Sequence, residues 1–346
     1  FQTHAQIIRK ILGVIIILAV VAMVFGNSIY ITKTTSASTN AATGTELQNG
    51  VAQPFPAPDF KDISAWINSP PLHIQDLRGK VVLIDFWAYS CINCIRTLPY
   101  LIDWYSKYHK QGFEIIGVHS PEFDFERNLQ NVQAAVKADK ILYPVALDNS
   151  FATWQNYNNL YWPAHYLIDK NGDVVYEHFG EGEYNVTENN IRYLLGLGSA
   201  MPTALEAQKM TVTTPETYLG YERSQEFLSN ENKSLDIAAT YSYPAHLPLN
   251  AWALQGSWII QGQKIISAQK GAAIKIHFTG KQVFAVMGCT KPPVHVQRKF
   301  NGVPASTIEV TEHKLYTFFS EPDATDGELE LIADAPGLEI YTFTFG

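Results

Sequence analysis

The sequence predicts an α/β domain followed by an all-β sandwich of jelly-roll type, with one N-terminal transmembrane helix ahead of both. Three observations carry that reading. Apolar strand-like runs alternate with amphipathic stretches over residues 55–199, short strands follow one another over 251–346 without a convincing helix, and residues 11–25, "ILGVIIILAVVAMVF", are apolar and uncharged. The chain has 346 residues, 46% hydrophobic and 17% charged, enough for about two cores. A formal net charge of -8 without a dense Lys/Arg cluster argues against a nucleic-acid surface.

Taken in order, the apolar run is preceded by Arg9 and Lys10 and resumes at Ile29, Tyr30 and Ile31. Counted to Ile31 it reaches about the 20 residues that a span needs; counted to Phe25 it fits the shorter core of a cleaved signal. An uncleaved anchor over 1–31 is the favoured reading, although the small residues of "SASTNAA" keep cleavage open. The positive-inside rule then puts the soluble part on the periplasmic, extracytoplasmic side of a single-pass protein at the cell membrane, where disulfides persist. Residues 32–54, rich in Thr, Ser, Ala and Asn, read as a flexible tether.

In the α/β domain, "KVVLIDFWA" (80–88) and "FEIIGVHS" (113–120) are strand-like, while 94–110 and 124–139 carry helical spacing. Strands alternating with helices imply parallel pairing. Pro99 falls inside the first helical pattern and should kink it. Asn171-Gly172 between two apolar runs is a hairpin signal, a better account of Asp169, Asn171 and Asp173 than a calcium loop lacking its remaining ligands. That antiparallel pair closes the domain, and a short helix over 187–198 follows. Residues 200–250 read as an irregular connection. About eight strands follow, with Tyr341, Phe343 and Phe345 on one core face.

The chemistry lies in "DFWAYSCINCIRTLPY" (85–100). Three cysteines in so long a chain are no disulfide scaffold, and Cys91 and Cys94 are spaced C-x-x-C; Cys289 reads as a buried apolar residue. Zinc would need two further ligands, and no second C-x-x-C or H-x-x-x-H lies nearby, with His109 and His119 reading as ordinary polar histidines. A redox pair explains more. At the start of a helix, free backbone N–H groups and the helix dipole stabilise the Cys91 thiolate, the expected nucleophile; Cys94, one turn in, resolves the mixed disulfide. Asp85 is an acid in an apolar run, where burial is costly, and is the candidate proton acceptor for Cys94. Pro163, in "NLYWPAHYLID", precedes a strand, and an X-Pro bond adopts cis at modest cost.

Together "VVLIDFWAYSCINC", Pro99 and "WPAHYLIDKNGDVV" resemble the thioredoxin superfamily, in particular its TlpA-like branch, over residues 55–198. That resemblance implies an attacking Cys91, a resolving Cys94, a buried acid at Asp85 and a cis proline at Pro163, with no cofactor beyond the redox-active disulfide. Trp87, Trp162, Ile92 and Asn93 would surround the pair. Residues 120–149 look like the helical insertion of that branch; Glu122 could approach the active site from there, but surface acid is the blander account and the one favoured. With "PETYLGYERS" (215–224), the chain is similar to the soluble region of DipZ-type proteins, which carry a carbohydrate-binding-module-like sandwich. Those proteins also have a multi-span membrane domain, so a single apolar segment here implies an electron donor on a separate chain.

The resemblance implies a reductase acting on disulfide-containing client proteins. Two rivals are a thiol peroxidase of peroxiredoxin or glutathione-peroxidase type, which the insertion also resembles, and an envelope module binding a glycan or protein through the sandwich. For the latter, Trp252, Trp258 and Tyr316 could form a sugar platform, although aromatics in small sandwiches are more often core.

Overall fold

The computed structural model describes residues 46–198 and 214–346. The expected anchor (1–31), the tether up to residue 45 and the start of the connection lie outside the described residues. Among the described residues no helix is long and apolar enough to cross a membrane. These residues belong to one compact unit.

The α/β part contains β1 (Phe55–Pro56), β2 (Ala65–Ile67), β3 (Val81–Trp87), β4 (Phe113–His119), β5 (Val145–Leu147), β6 (Ala164–Ile168) and β7 (Asp173–Phe179). Its helices are α1 (Ile92–Tyr108), α2 (Leu129–Ala138), α3 (Ala152–Asn156) and α4 (Tyr184–Leu195). The sheet order is β1-β7-β6-β3-β4-β5-β2, with β3, β4 and β5 parallel and β6 antiparallel to β3. Every residue of β3 and β4 is buried, which is why both read as mainly apolar runs, interrupted by Asp85 in one and by Glu114 and His119 in the other: a central strand covered on both faces has no polar alternation to show. Pro99 is exposed on α1, which continues through it as one helix. The β6–β7 turn forms at Asn171-Gly172, where Gly172 takes φ 92° and Asp169 Oδ1 accepts from the Asn171 and Asp173 N–H groups. Helix α4 begins three residues ahead of the expected start and stops at Gly196, with φ 78°.

Part of the expected tether is ordered against this domain. Gln48 exchanges hydrogen bonds with the Asn190 amide, and Val51 N–H donates to Val175 O. A polar composition signals flexibility only where the backbone lacks partners, and here α4 and β7 supply them.

The C-terminal part contains β8 (Thr217–Tyr218), β9 (Ala238–Tyr241), β10 (Trp252–Ile260), β11 (Ile265–Ser267), β12 (Ala273–Cys289), β13 (Val294–Phe300), β14 (Val303–Pro304), β15 (Ile308–Val310), β16 (Lys314–Ala333) and β17 (Leu338–Phe345). They form one hydrogen-bonded ten-stranded sheet. Long β12 pairs with β10 at one end and with β17 at the other, while β17 also reaches β11 beside β10, so the sheet folds over and encloses its own core. Strands β8 and β9 fall within the stretch read as an irregular connection; each is too short to show a period and is held by β17 or β10.

Trp252 and Trp258 are fully buried and Tyr316 nearly so, all three in this core, which removes them as a sugar platform. Cys289 is buried at the end of β12, its thiol donating to Val310 O. The expected shared face of Tyr341, Phe343 and Phe345 is broken by a register shift between Val286 and Met287 opposite β17. The bulge turns Tyr341 away from the core that takes Phe343 and Phe345, towards Phe123 of the α/β part.

Candidate active site

Strand β3 ends at Trp87, and the chain turns over Tyr89 and Ser90 into α1, whose N-cap is Cys91. Cys91 N–H is tied to Ala88 O, and the Cys94 N–H points at Cys91 Sγ at 3.4 Å. Both cysteines are free thiols, Cys91 half-buried and Cys94 buried. A sulfur at a helix N-cap faces backbone N–H groups that have no acceptor in the helix, and Cys91 Sγ accepts from one of them, that of Cys94. Cys94 differs: burial, followed by its contact with Cys91 and the nearby Asp85 charge, pushes its thiol well above the ordinary range. One sulfur stands half-buried at the end of the helix, and the other is kept protonated behind it.

Asp85 lies inside β3 with no exposed surface. Trp87 is also fully buried, and Gly117 leaves it room: a Cβ there would stand 3.0 Å from Trp87 Nε1 and 3.1 Å from Tyr143. The Trp162–Pro163 bond is cis. Trp162 donates from Nε1 to Ser120 O and packs on Trp154 at 4.3 Å between ring centroids. Ile92 is buried; Asn93 is half-buried, its carbonyl accepting from Thr97 Oγ1.

Glu122 is not a surface acid. Its side chain is 8% exposed and accepts from Tyr218 Oη at 2.7 Å and Arg223 Nη1 at 3.0 Å, both from the C-terminal part. It lies at the junction between the two parts because the segment ahead of α2 packs there, which a local sequence window does not reveal. His119 is likewise wholly buried, stacked on Tyr89, and burial lowers it to about 3.

Sequence reasoning missed Glu126 and Ser90. Glu126 is fully buried; its Oε1 accepts from Ser90 N–H and Oγ–H, and its Oε2 from Glu122 N–H and Phe123 N–H. It fastens the residue before Cys91 to the insertion that meets the C-terminal part. The sequence offers no local signal for either: Glu126, between Phe125 and Arg127, looks like any acid of a charged stretch.

Burial, with repulsion from Glu122, raises Glu126 to about 7 despite those donors. Its folded-state value lies above that of an unfolded glutamate, so the native state binds the proton more tightly, and stability falls as pH rises from about 4.3 to 7, on the order of 3 kcal/mol in all. Glu126→Gln should flatten that part of the pH dependence in urea unfolding; an unchanged slope would contradict the assignment.

The C-terminal part also flanks the dithiol directly. Arg96, two residues past Cys94, meets Glu181 and Gln282 and lies over the Phe284 ring. Tyr89 Oη donates to His313 O. Beside these contacts, a cleft of about 550 Å³ has Tyr89, Ile95 and Asn131 on one wall and His313 and Lys314 on the other.

Residues 55–177 match the AhpC/TSA family, and residues 214–346 match the family described as Thioredoxin like C-terminal domain. Protein DipZ of Mycobacterium bovis is 38% identical over 301 residues, 84% of this chain and 43% of that protein. The chain thus spans less than half the length of that relative. Thiol-disulfide oxidoreductase ResA of Bacillus thuringiensis subsp. konkukian is 32% identical over 125 residues, 36% of this chain and 68% of that protein. A solved structure of a thiol:disulfide interchange protein from Chlorobium tepidum aligns at 24% identity with a TM-score of 0.36, covering 42% of this chain and 99% of that one. Through its relation to ResA and its matched α/β domain, the chain belongs to the thioredoxin-like thiol-disulfide oxidoreductases.

Proposed function

We propose that the protein reduces disulfides of client proteins in the cell envelope by dithiol exchange at Cys91 and Cys94. The observation that carries the reading is the contrast between the two thiols: Cys91 half-buried at a helix N-cap, Cys94 buried and held protonated. Cys91 attacks a client sulfur to form a mixed disulfide; Cys94 then attacks Cys91, releases the reduced client and leaves the Cys91–Cys94 disulfide. Asp85 takes the Cys94 proton, and the loop at Pro163 presents backbone to the client. Electrons return from a membrane donor, and the apolar run over 11–31 anchors the chain with its soluble part outside.

The match to the AhpC/TSA family favours a second reading, a thiol peroxidase using Cys91 alone. One pair of assays separates them. Reduction of insulin that requires both cysteines supports the reductase, and peroxide consumption that survives Cys94→Ser supports the peroxidase. A reduction potential near about -120 mV, typical of a strong oxidant, would overturn the reductive direction.

A further inference from the structure

Asp85, His165 and His178 stand opposite one another on β3, β6 and β7: Asp85 pairs with His165, and His165 with His178. Directly paired residues project from the same face of a sheet, so the three side chains form a row. Asp85 Oδ1 lies 3.3 Å from His165 Nε2, both side chains being 1% exposed, and the two imidazole centroids are 6.1 Å apart. Both Asp85 oxygens, both His165 nitrogens and His178 Nε2 are buried without a hydrogen-bond partner. Buried polar atoms are normally satisfied, so five unpartnered atoms in one row call for more than a packing explanation.

The two ends of the row differ. At one end Asp85 is close enough for its charge to raise the Cys94 thiol. At the other, His178 is half-buried, towards the edge of the sheet. Asp85 is faced by Cys94 from α1, Tyr143 from the segment before β5 and His165 from β6. His178 is faced by His165 and by the backbone of Gly180 and Glu181. Burial, then the neighbouring His165, lowers His178 to about 4, leaving at neutral pH a neutral ring that accepts on one nitrogen and gives from the other. A proton passing between rings at that spacing needs one bridging water.

We propose that His165 and His178 relay the proton that Asp85 exchanges with Cys94, making the row a proton route through the sheet to solvent. The inference deepens the dithiol reading and rests on it. In the resolving step the Cys94 sulfur bonds to Cys91 Sγ, and the bond from Cys91 to the client sulfur breaks. The electron pair leaves with the client thiolate, which takes a proton from water. The client is thereby reduced and the Cys91–Cys94 pair oxidised. The Cys94 proton passes to Asp85, and a proton leaves the row at His178; when the dithiol is regenerated the route runs in reverse. Both histidines act through Asp85 and are positioning residues for the proton.

The test uses the full chain and a fluorescent disulfide peptide. Attack by Cys91 is timed alone in a Cys94→Ala background, and resolution is timed with both cysteines present. His165→Asn and His178→Asn should leave attack unchanged, slow resolution by about ten-fold or more and alter its pH profile, with added imidazole restoring a His178→Ala variant. Resolution at the parental rate and profile in the variants overturns the relay. So does an equal slowing of attack and resolution, which marks a packing role. If His165→Asn does not fold, the half-buried His178 variants decide alone. A parental chain that forms no mixed disulfide refutes the dithiol reading itself, before any histidine is changed.

Discussion

Replacing Cys91 by serine should lower reduction of a model disulfide by about three orders of magnitude, roughly 4 kcal/mol of barrier. The loss follows from the chemistry: a serine hydroxyl is not ionised at neutral pH and is a far weaker nucleophile towards a disulfide sulfur than a cysteine thiolate. Cys94→Ser has a different signature. It keeps the attacking sulfur and loses only the resolving one, so the mixed disulfide should accumulate while turnover stops. Steady-state reduction with a fluorogenic disulfide measures both, and comparable turnover by Cys91→Ser and the parent would contradict the assignment of the attacking thiol.

Tyr341→Ala should destabilise the protein by about 3–5 kcal/mol, the range for deleting a large buried aromatic side chain. Tyr341 is 3% exposed and packs against Phe123 at 5.1 Å and Phe125 at 4.8 Å. Its hydroxyl donates to Glu339, a carboxylate that burial alone would raise but that His313 and Lys264 hold down at about 2. The truncation therefore removes packing between the two parts and a donor to a buried anion together. Urea unfolding at neutral pH measures it. A change below about 1 kcal/mol would mean that the contact between the parts contributes little.

The legible parts of the fold are those where one physical requirement dominates. Strands β3 and β4 show themselves as mainly apolar runs, and the β6–β7 turn as Asn171-Gly172, because only a residue tolerant of positive φ fits at Gly172. Strands β8 and β9 were hidden because two or four residues show no period, and the partner of β8 lies at the far end of the chain. The same divide runs through the site. Cys91, Cys94, Asp85 and Pro163 lie in local patterns with a chemical meaning of their own. Glu122 reads as a surface acid and Glu126 carries no local signal, since their roles arise from long-range packing: Tyr218 and Arg223 reach the first, Ser90 the second. His165 and His178 were passed over for that reason too, their alignment with Asp85 being a matter of register across three strands.

The central claim is that Cys91 is the attacking thiol of a dithiol exchange, and mass spectrometry of the Cys94→Ser chain after exposure to a disulfide-bonded client peptide tests it most directly. The account predicts one peptide adduct per chain, attached through Cys91 and released by a reducing agent. No adduct, or an adduct on Cys289 with Cys91 unmodified, would contradict it.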